Sequence, residues 1–160
     1  MELSLKIYDV IVVGGGASGM LAAGRASERG LSVLLIEKNK RLGEKLRITG
    51  GGRCNITNAE FDNRILLKNY GKAEPFLYSL FAQYSVRDTF EFFNSKGLPL
   101  VVEARKRAFP ASHKAEDVVA VLETYINQTG VVTLLGNGVQ HVTLENNEVI
   151  SVTCAGASYR

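Results

Sequence analysis

Residues 8–37, YDVIVVGGGASGMLAAGRASERGLSVLLIE, set a β-branched apolar run against a glycine-rich turn, an alanine-rich helix and a second apolar run. Few folds accept that order. Val10 to Val13 reads as a parallel strand buried on both faces. It runs into Gly14-Gly15-Gly16-Ala17-Ser18-Gly19, which fits the spacing G-x-G-x-x-G. Residues 20–29 follow as a helix with Gly30 placed to end it. Residues 32–36 form a second strand, closed by Glu37 eighteen residues past Gly19.

Each glycine has a physical reason in that reading. Gly14 permits the tight strand-to-helix turn, Gly16 lets backbone approach a pyrophosphate, and Gly19 lets helix and sheet pack closely. The helix N-terminus offers unpaired N–H groups and partial positive charge to phosphates. Glu37 sits where a carboxylate accepts hydrogen bonds from ribose hydroxyls, and so favours an unphosphorylated ribose. Three glycines in six residues also occur in plain loops. Strand, turn, helix, strand and terminal acid in sequence point instead to a dinucleotide-binding βαβ unit.

A second glycine-rich stretch follows in residues 38–58, KNKRLGEKLRITGGGRCNITN. Lys38, Lys40, Arg41, Lys45, Arg47 and Arg53 are opposed there only by Glu44, with Gly50, Gly51 and Gly52 at the centre. Such a loop buries little side chain and is costly to order. A ligand against which bare backbone can lie would compensate; a solvated basic loop is the plainer alternative. Net charge is only +3, too mild to argue for nucleic acid, and 46% hydrophobic with 22% charged residues is ordinary for a globular chain.

GEKLRITGGGRCNITN after a nucleotide fingerprint resembles the bacterial HI0933-like, or aminoacetone-oxidase-type, FAD-binding flavoproteins, whose signature is similar to G-x-K-x-x-x-[ST]-G-G-G-R-C-N-x-T-N. Gly43, Lys45, Thr49 to Asn55, Thr57 and Asn58 fall on it, and RAFPASHKAEDVV around Phe109-Pro110 resembles a later family segment. The resemblance implies an α/β, Rossmann-like FAD/NAD(P)-binding fold of the glutathione reductase type with a β-meander. It also implies an oxidoreductase whose Gly50 to Asn55 backbone lies along flavin and ribitol. The expected cofactor contacts are Gly14, Gly16, Ala17, Ser18 and Gly19; Glu37, Lys38 and Lys45; Thr49, Gly50, Gly51, Gly52, Arg53, Cys54 and Asn55; and Val139. FAD is the expected cofactor, with NAD(P)H a candidate electron donor and an unidentified small molecule as substrate. No metal site is expected, and no catalytic residue is assigned. Cys54 has no second thiol nearby, so packing or flavin lining is expected of it rather than redox relay.

Downstream, Phe76, Leu77, Leu80, Phe81 and Tyr84 recur at helical spacing and are expected in core or subdomain packing, with a substrate wall as the alternative, and Leu98 to Val102 reads as a short strand. Ser85 to Asp88 is a capping box opening a helix that Gly97 ends. Arg105-Lys106-Arg107 could meet an anionic substrate or be a solvated turn; His113 and His141 show no evident partner. Residues 115–128 carry one apolar helical face, and residues 131–135 a third, buried parallel strand. Residues 139–144 and 149–154 read as a hairpin turning at Asn146-Asn147, with another strand beginning near Ala157.

The expected organisation is one N-terminal part of an FAD-binding domain over residues 1–160. It divides into βαβ (7–37), flavin loop (43–58), a mainly helical insertion (59–112), helix and third strand (114–135), and the start of a meander (139–160). The chain is expected to be a fragment, cytoplasmic, without membrane or nucleic-acid partner, inactive alone, and paired with another copy or its remaining part. Alternatives are an NAD-binding regulatory module and an RNA-modifying flavoprotein.

Overall fold

A computed structural model describes residues 6–160; residues 1–5, which the expected domain includes, lie outside the described residues. The chain divides into two units, one of residues 1–46 with 122–160, the other of residues 47–121.

In the first unit the expected βαβ is present. Strand β1 (Val10–Val13), helix α1 (Ala17–Glu28) and strand β2 (Val33–Glu37) are joined by β6 (Val132–Leu135) in a parallel sheet of order β1-β2-β6. Val10 pairs with Val33, and Leu34 with Val132. The centre strand β2 is buried throughout, as its VLLIE sequence demands. The outer strands differ from expectation: Val13, Val132 and Leu135 are exposed. Among the described residues β1 and β6 each have a neighbour on one side only, so neither is enclosed as a central strand is.

Helix α1 begins at Ala17, three residues earlier than the alanine-rich pattern suggested, because Gly16 takes the N-cap position in extended conformation. Its inner face is Met20, Ala23 and Gly24. A Cβ on Gly24 would lie 2.2 Å from the ring of Tyr125, so the missing side chain lets α1 meet the last turns of α6 (Ala115–Thr129). Ser27 Oγ donates to Thr129 O across the same junction at 2.5 Å.

Strands β7 (Val139–Glu145), β8 (Glu148–Cys154) and β9 (Ala157–Tyr159) form the expected antiparallel meander. Asn146 and Asn147 both take positive φ (51° and 65°), the geometry of a two-residue hairpin turn. Val152 and Cys154 pack with Leu34 and Ile36, joining meander to sheet in one core.

The second unit contains a sheet of order β3-β5-β4, of which the sequence reading had only the strand expected over residues 98–102. Strand β3 (Thr57–Asn58) is two residues long and pairs antiparallel with β5 (Arg107–Pro110), which pairs with β4 (Leu100–Glu103). After the short α2 (Glu44–Ile48), the helices that follow in the chain are α3 (Asn63–Leu67), α4 (Glu74–Gln83) and α5 (Val86–Ser95). Asp62 caps α3 by accepting from the Arg64 and Ile65 N–H groups, and Ser85 with Asp88 forms the capping box expected for α5. Leu67, Val86, Phe93 and Phe109 are buried.

The aromatic run of α4 is not core. Phe76 is 73% exposed, Leu80 and Tyr84 each 47%, and no residue of α4 is fully buried. Residues 76–78 and 80–81 are apolar almost all round the helix, so a single contact side accounts for only some of them; Phe81 meets Tyr70 at 6.3 Å between ring centroids.

Candidate functional site

The first unit holds a cleft of about 970 Å³ at the carboxyl end of β1 and β2, the crevice where open α/β sheets receive ligands. Gly14, Gly16, Ser18 and Gly19 line it from the turn into α1; Glu37, Lys38 and Lys45 line it from β2 and beyond; Val139 lines it from the meander. Ala17, expected with them, is not among its lining residues.

The turn is held by a lattice of short bonds. Gly14 N–H donates to Ile36 O at 2.8 Å, and Gly43 N–H to Gly15 O at 2.8 Å. Gly14 has φ 104°, a value an L side chain resists. A Cβ on Gly19 would fall 1.9 Å from Gly14 O, so only glycine lets the helix start this close to the strand. By contrast, a Cβ on Gly16 would meet nothing within 4 Å. The protein leaves that side open. Gly16 caps α1 without any side-chain hydrogen bond, and the first turn carries no acidic residue to compete for its N–H groups. This is a cradle suited to a pyrophosphate.

Glu37 is 8% exposed and already engaged. Its Oε2 accepts the Gly15 N–H at 2.6 Å; its Oε1 accepts the backbone N–H of Asn39 at 2.8 Å and that side chain's Nδ2–H at 2.7 Å. The carboxylate therefore fastens β2 to the glycine turn as well as facing the cleft. A carboxylate has roughly four lone-pair sites, so one remains for a ligand hydroxyl. Gly15 and Asn39 were missed by sequence reasoning. For Gly15 a signal existed, since the fingerprint tolerates any residue there and the chain has glycine: a Cβ would lie 2.2 Å from Leu42. Asn137 and Gly138, also lining the cleft, follow β6 without a distinguishing pattern.

In the second unit Thr49 to Gly52 make a 3₁₀ turn in which Gly50 and Gly51 take φ of 57° and 68°. Gly52 and Cys54 are also left-handed, at 84° and 58°. A Cβ on Gly50 would lie 3.2 Å from the Phe109 ring, whereas one on Gly51 would meet nothing within 4 Å. Protein packing thus does not require a bare residue at Gly51, though its φ does, and the face beside it is open to a ligand. Arg53 lies over the Phe109 ring at 4.3 Å and donates to Glu103 at 2.9 Å. Asn55 donates its side-chain N–H to the carbonyls of Ala108 (3.2 Å) and Thr57 (3.1 Å), tying the turn to β5 and β3. Burial pushes the Cys54 thiol above its ordinary value, against a smaller opposing hydrogen bond with Thr49. A buried, protonated thiol is a poor nucleophile. His113, expected to lack a partner, stands 3.6 Å from Glu103. Among the described residues no helix is long and apolar enough to cross a membrane.

The chain is 32% identical over 135 residues to a 3-dehydro-bile acid delta(4,6)-reductase of Clostridium scindens, a match covering 83% of this chain and 32% of that protein. It is 34% identical over 94 residues to a ribosomal RNA dihydrouridine synthase of Escherichia coli, covering 59% of this chain and 23% of that one. It thus spans about a third or less of these relatives. Among solved structures, 3-ketosteroid-delta4-(5alpha)-dehydrogenase from Rhodococcus jostii RHA1 shares the fold at TM-score 0.72 and 17% identity, over 96% of this chain and 43% of that one. A flavocytochrome c3 fumarate reductase does so at TM-score 0.74 and 19% identity, over 96% and 32%. The model of the HI0933-like protein Rossmann domain matches residues 8–160, and the chain belongs to that family of FAD-binding flavoproteins.

Proposed function

We propose that this chain is the FAD-binding portion of a flavoprotein oxidoreductase that transfers hydride between FAD and a nicotinamide or small-molecule partner. The observation that carries this reading is the open cradle at Gly16, where close packing demands glycine at Gly19 yet leaves the face toward the cleft bare. When bound, FAD supplies an isoalloxazine ring able to accept and return a hydride. The chain's own residues bind and orient. The α1 N-terminus, with Ala17 and Ser18 in its first turn, would receive the pyrophosphate. Glu37, with its remaining lone pair, would accept a ribose hydroxyl. Lys38 and Lys45 would offset phosphate charge, and Val139 would face the adenine end. The backbone of Thr49, Gly50, Gly51, Gly52, Arg53, Cys54 and Asn55 would lie along flavin and ribitol, a role that rests on the family signature and the open face at Gly51. No residue is assigned to proton transfer.

The test is FAD titration of the purified apo protein, followed by its visible spectrum, beside a urea midpoint. Wild type is expected to turn yellow and to release FAD on denaturation. Gly51→Ala adds strain on the order of 1 kcal/mol to the apo fold but places a methyl where cofactor backbone contact is expected. The loss of FAD affinity should therefore exceed the roughly five-fold that corresponds to a cost of about 1 kcal/mol, and so exceed the loss read from the apo urea midpoint. A colourless protein that prefers NAD would overturn the reading. A second reading, an RNA-modifying flavoprotein, is favoured by the similarity to the ribosomal RNA dihydrouridine synthase.

A further inference from the structure

The carboxylate of Glu103 draws together three basic side chains from separate parts of the second unit. Arg53 Nη1 donates to its Oε1 at 2.9 Å, Arg107 Nη2 stands 3.8 Å from Oε2, and His113 Nδ1 stands 3.6 Å from Oε1. Both guanidinium groups also lie against Phe109, at 4.3 and 5.6 Å from the ring centroid. Two permanent positive charges thus face one negative charge, before any proton on His113 is counted.

Among the described residues their hydrogen-bonding capacity is largely unspent. A guanidinium has five N–H donors. Arg53 uses one on Glu103, while Arg107 gives Nε–H to Ala104 O at 3.1 Å and holds Nη2 beyond hydrogen-bond reach of Glu103. The side chains of Arg53, Arg107 and His113 are 38%, 43% and 46% exposed, so a ligand can reach them. The backbone is held in an unfavourable shape around them: His113, Arg105 and Lys106 all take left-handed φ, between 55° and 62°. Lys106 is drawn aside by Glu60.

We propose that Arg53, Arg107 and His113 form a binding site for the anionic group of a small molecule, a carboxylate or a phosphate, with Glu103 as its internal competitor. Planar guanidinium forks suit bidentate recognition of either group. A small molecule fits better than a polyanion, because Glu60 and Glu103 interrupt the basic residues and a nucleic acid needs a continuous basic stripe. That the bound molecule is the flavin's redox partner rests on the flavoprotein reading; the anion binding itself does not.

The experiment titrates the FAD-loaded protein with inorganic phosphate and, separately, propionate at constant pH and ionic strength. It reads the ring proton resonances of His113 and His141, assigned with His113→Gln. The His113 resonance should move and saturate while His141 stays still. Arg107→Gln should weaken half-saturation about two- to five-fold, and Glu103→Gln should tighten it by a similar factor. If Arg107→Gln fails to fold, Arg107→Lys, which keeps charge and loses the fork, should weaken it too. A silent or non-saturating His113, equal movement of both histidines, or unchanged binding in these variants overturns the site. So does a single-stranded RNA oligonucleotide that moves His113 at far lower concentration than either small anion. Flavin absorbance in the same samples separates the two readings. Retained FAD with a silent His113 sinks only the anion site, whereas a protein that never takes up FAD sinks the flavoprotein assignment.

Discussion

Glu37 shows how one residue answers to two demands. Its position at the end of β2 suggested a ribose contact, yet three of its acceptor sites are filled by Gly15 and Asn39. Glu37→Gln keeps the volume but turns one acceptor oxygen into an NH₂ group, which must then face an N–H donor. A buried donor left unpaired costs about 1–3 kcal/mol. Glu37→Gln is therefore expected to lower the urea-derived stability of the apo protein by that amount, in addition to weakening FAD. A variant with unchanged apo stability would show that the carboxylate serves only the ligand. The acid's place at a strand tip was legible in sequence. Its bonds to Gly15 and Asn39 were not, because they depend on how the glycine turn folds back across the strand.

Local signals carried the elements best. The Ser85–Asp88 box, the Asn146-Asn147 turn and the helix of residues 115–129 are each written in a few adjacent residues, and each is present. Strand β3 was illegible because two residues carry no period, and α4 misled because apolar residues surround it without marking an inner face. Ser85→Ala should destabilise the protein by about 1 kcal/mol, read as a lower urea midpoint at neutral pH. The same cap predicts an acid dependence. Hydrogen bonds from the Ser85 side chain and then its backbone N–H hold the Asp88 carboxyl below its ordinary 3.8. The unfolded chain therefore takes up that proton first on acidification. The cap's contribution is fully present above pH 3.8 and is lost as pH falls through the lower folded value. Wild type and Asp88→Asn should converge in stability at the acid end; parallel curves down to that range would contradict the cap.

At the scale of the molecule, the Rossmann-like sheet was legible because the fingerprint implies its neighbours, whereas the signature over residues 49–58 of the interposed second unit marks a glycine loop and says nothing of the strands and helices that follow it. The first unit is assembled from two stretches of chain, and β2 pairs with a strand that lies about 95 residues further on. During synthesis, at roughly 5–20 residues per second, β2 waits some 5–20 s for β6 to be made. Through that interval the VLLIE strand has one unpaired edge and no third strand beside it. Residues 10–37 on stalled ribosomes should stay open to protease until residues 132–135 have left the exit tunnel, while residues 47–121, a continuous stretch, become resistant earlier. Simultaneous protection of both would show that the second unit needs the completed sheet. The most deeply buried strand of the finished protein is thus the one that a nascent-chain chaperone has the longest time to meet.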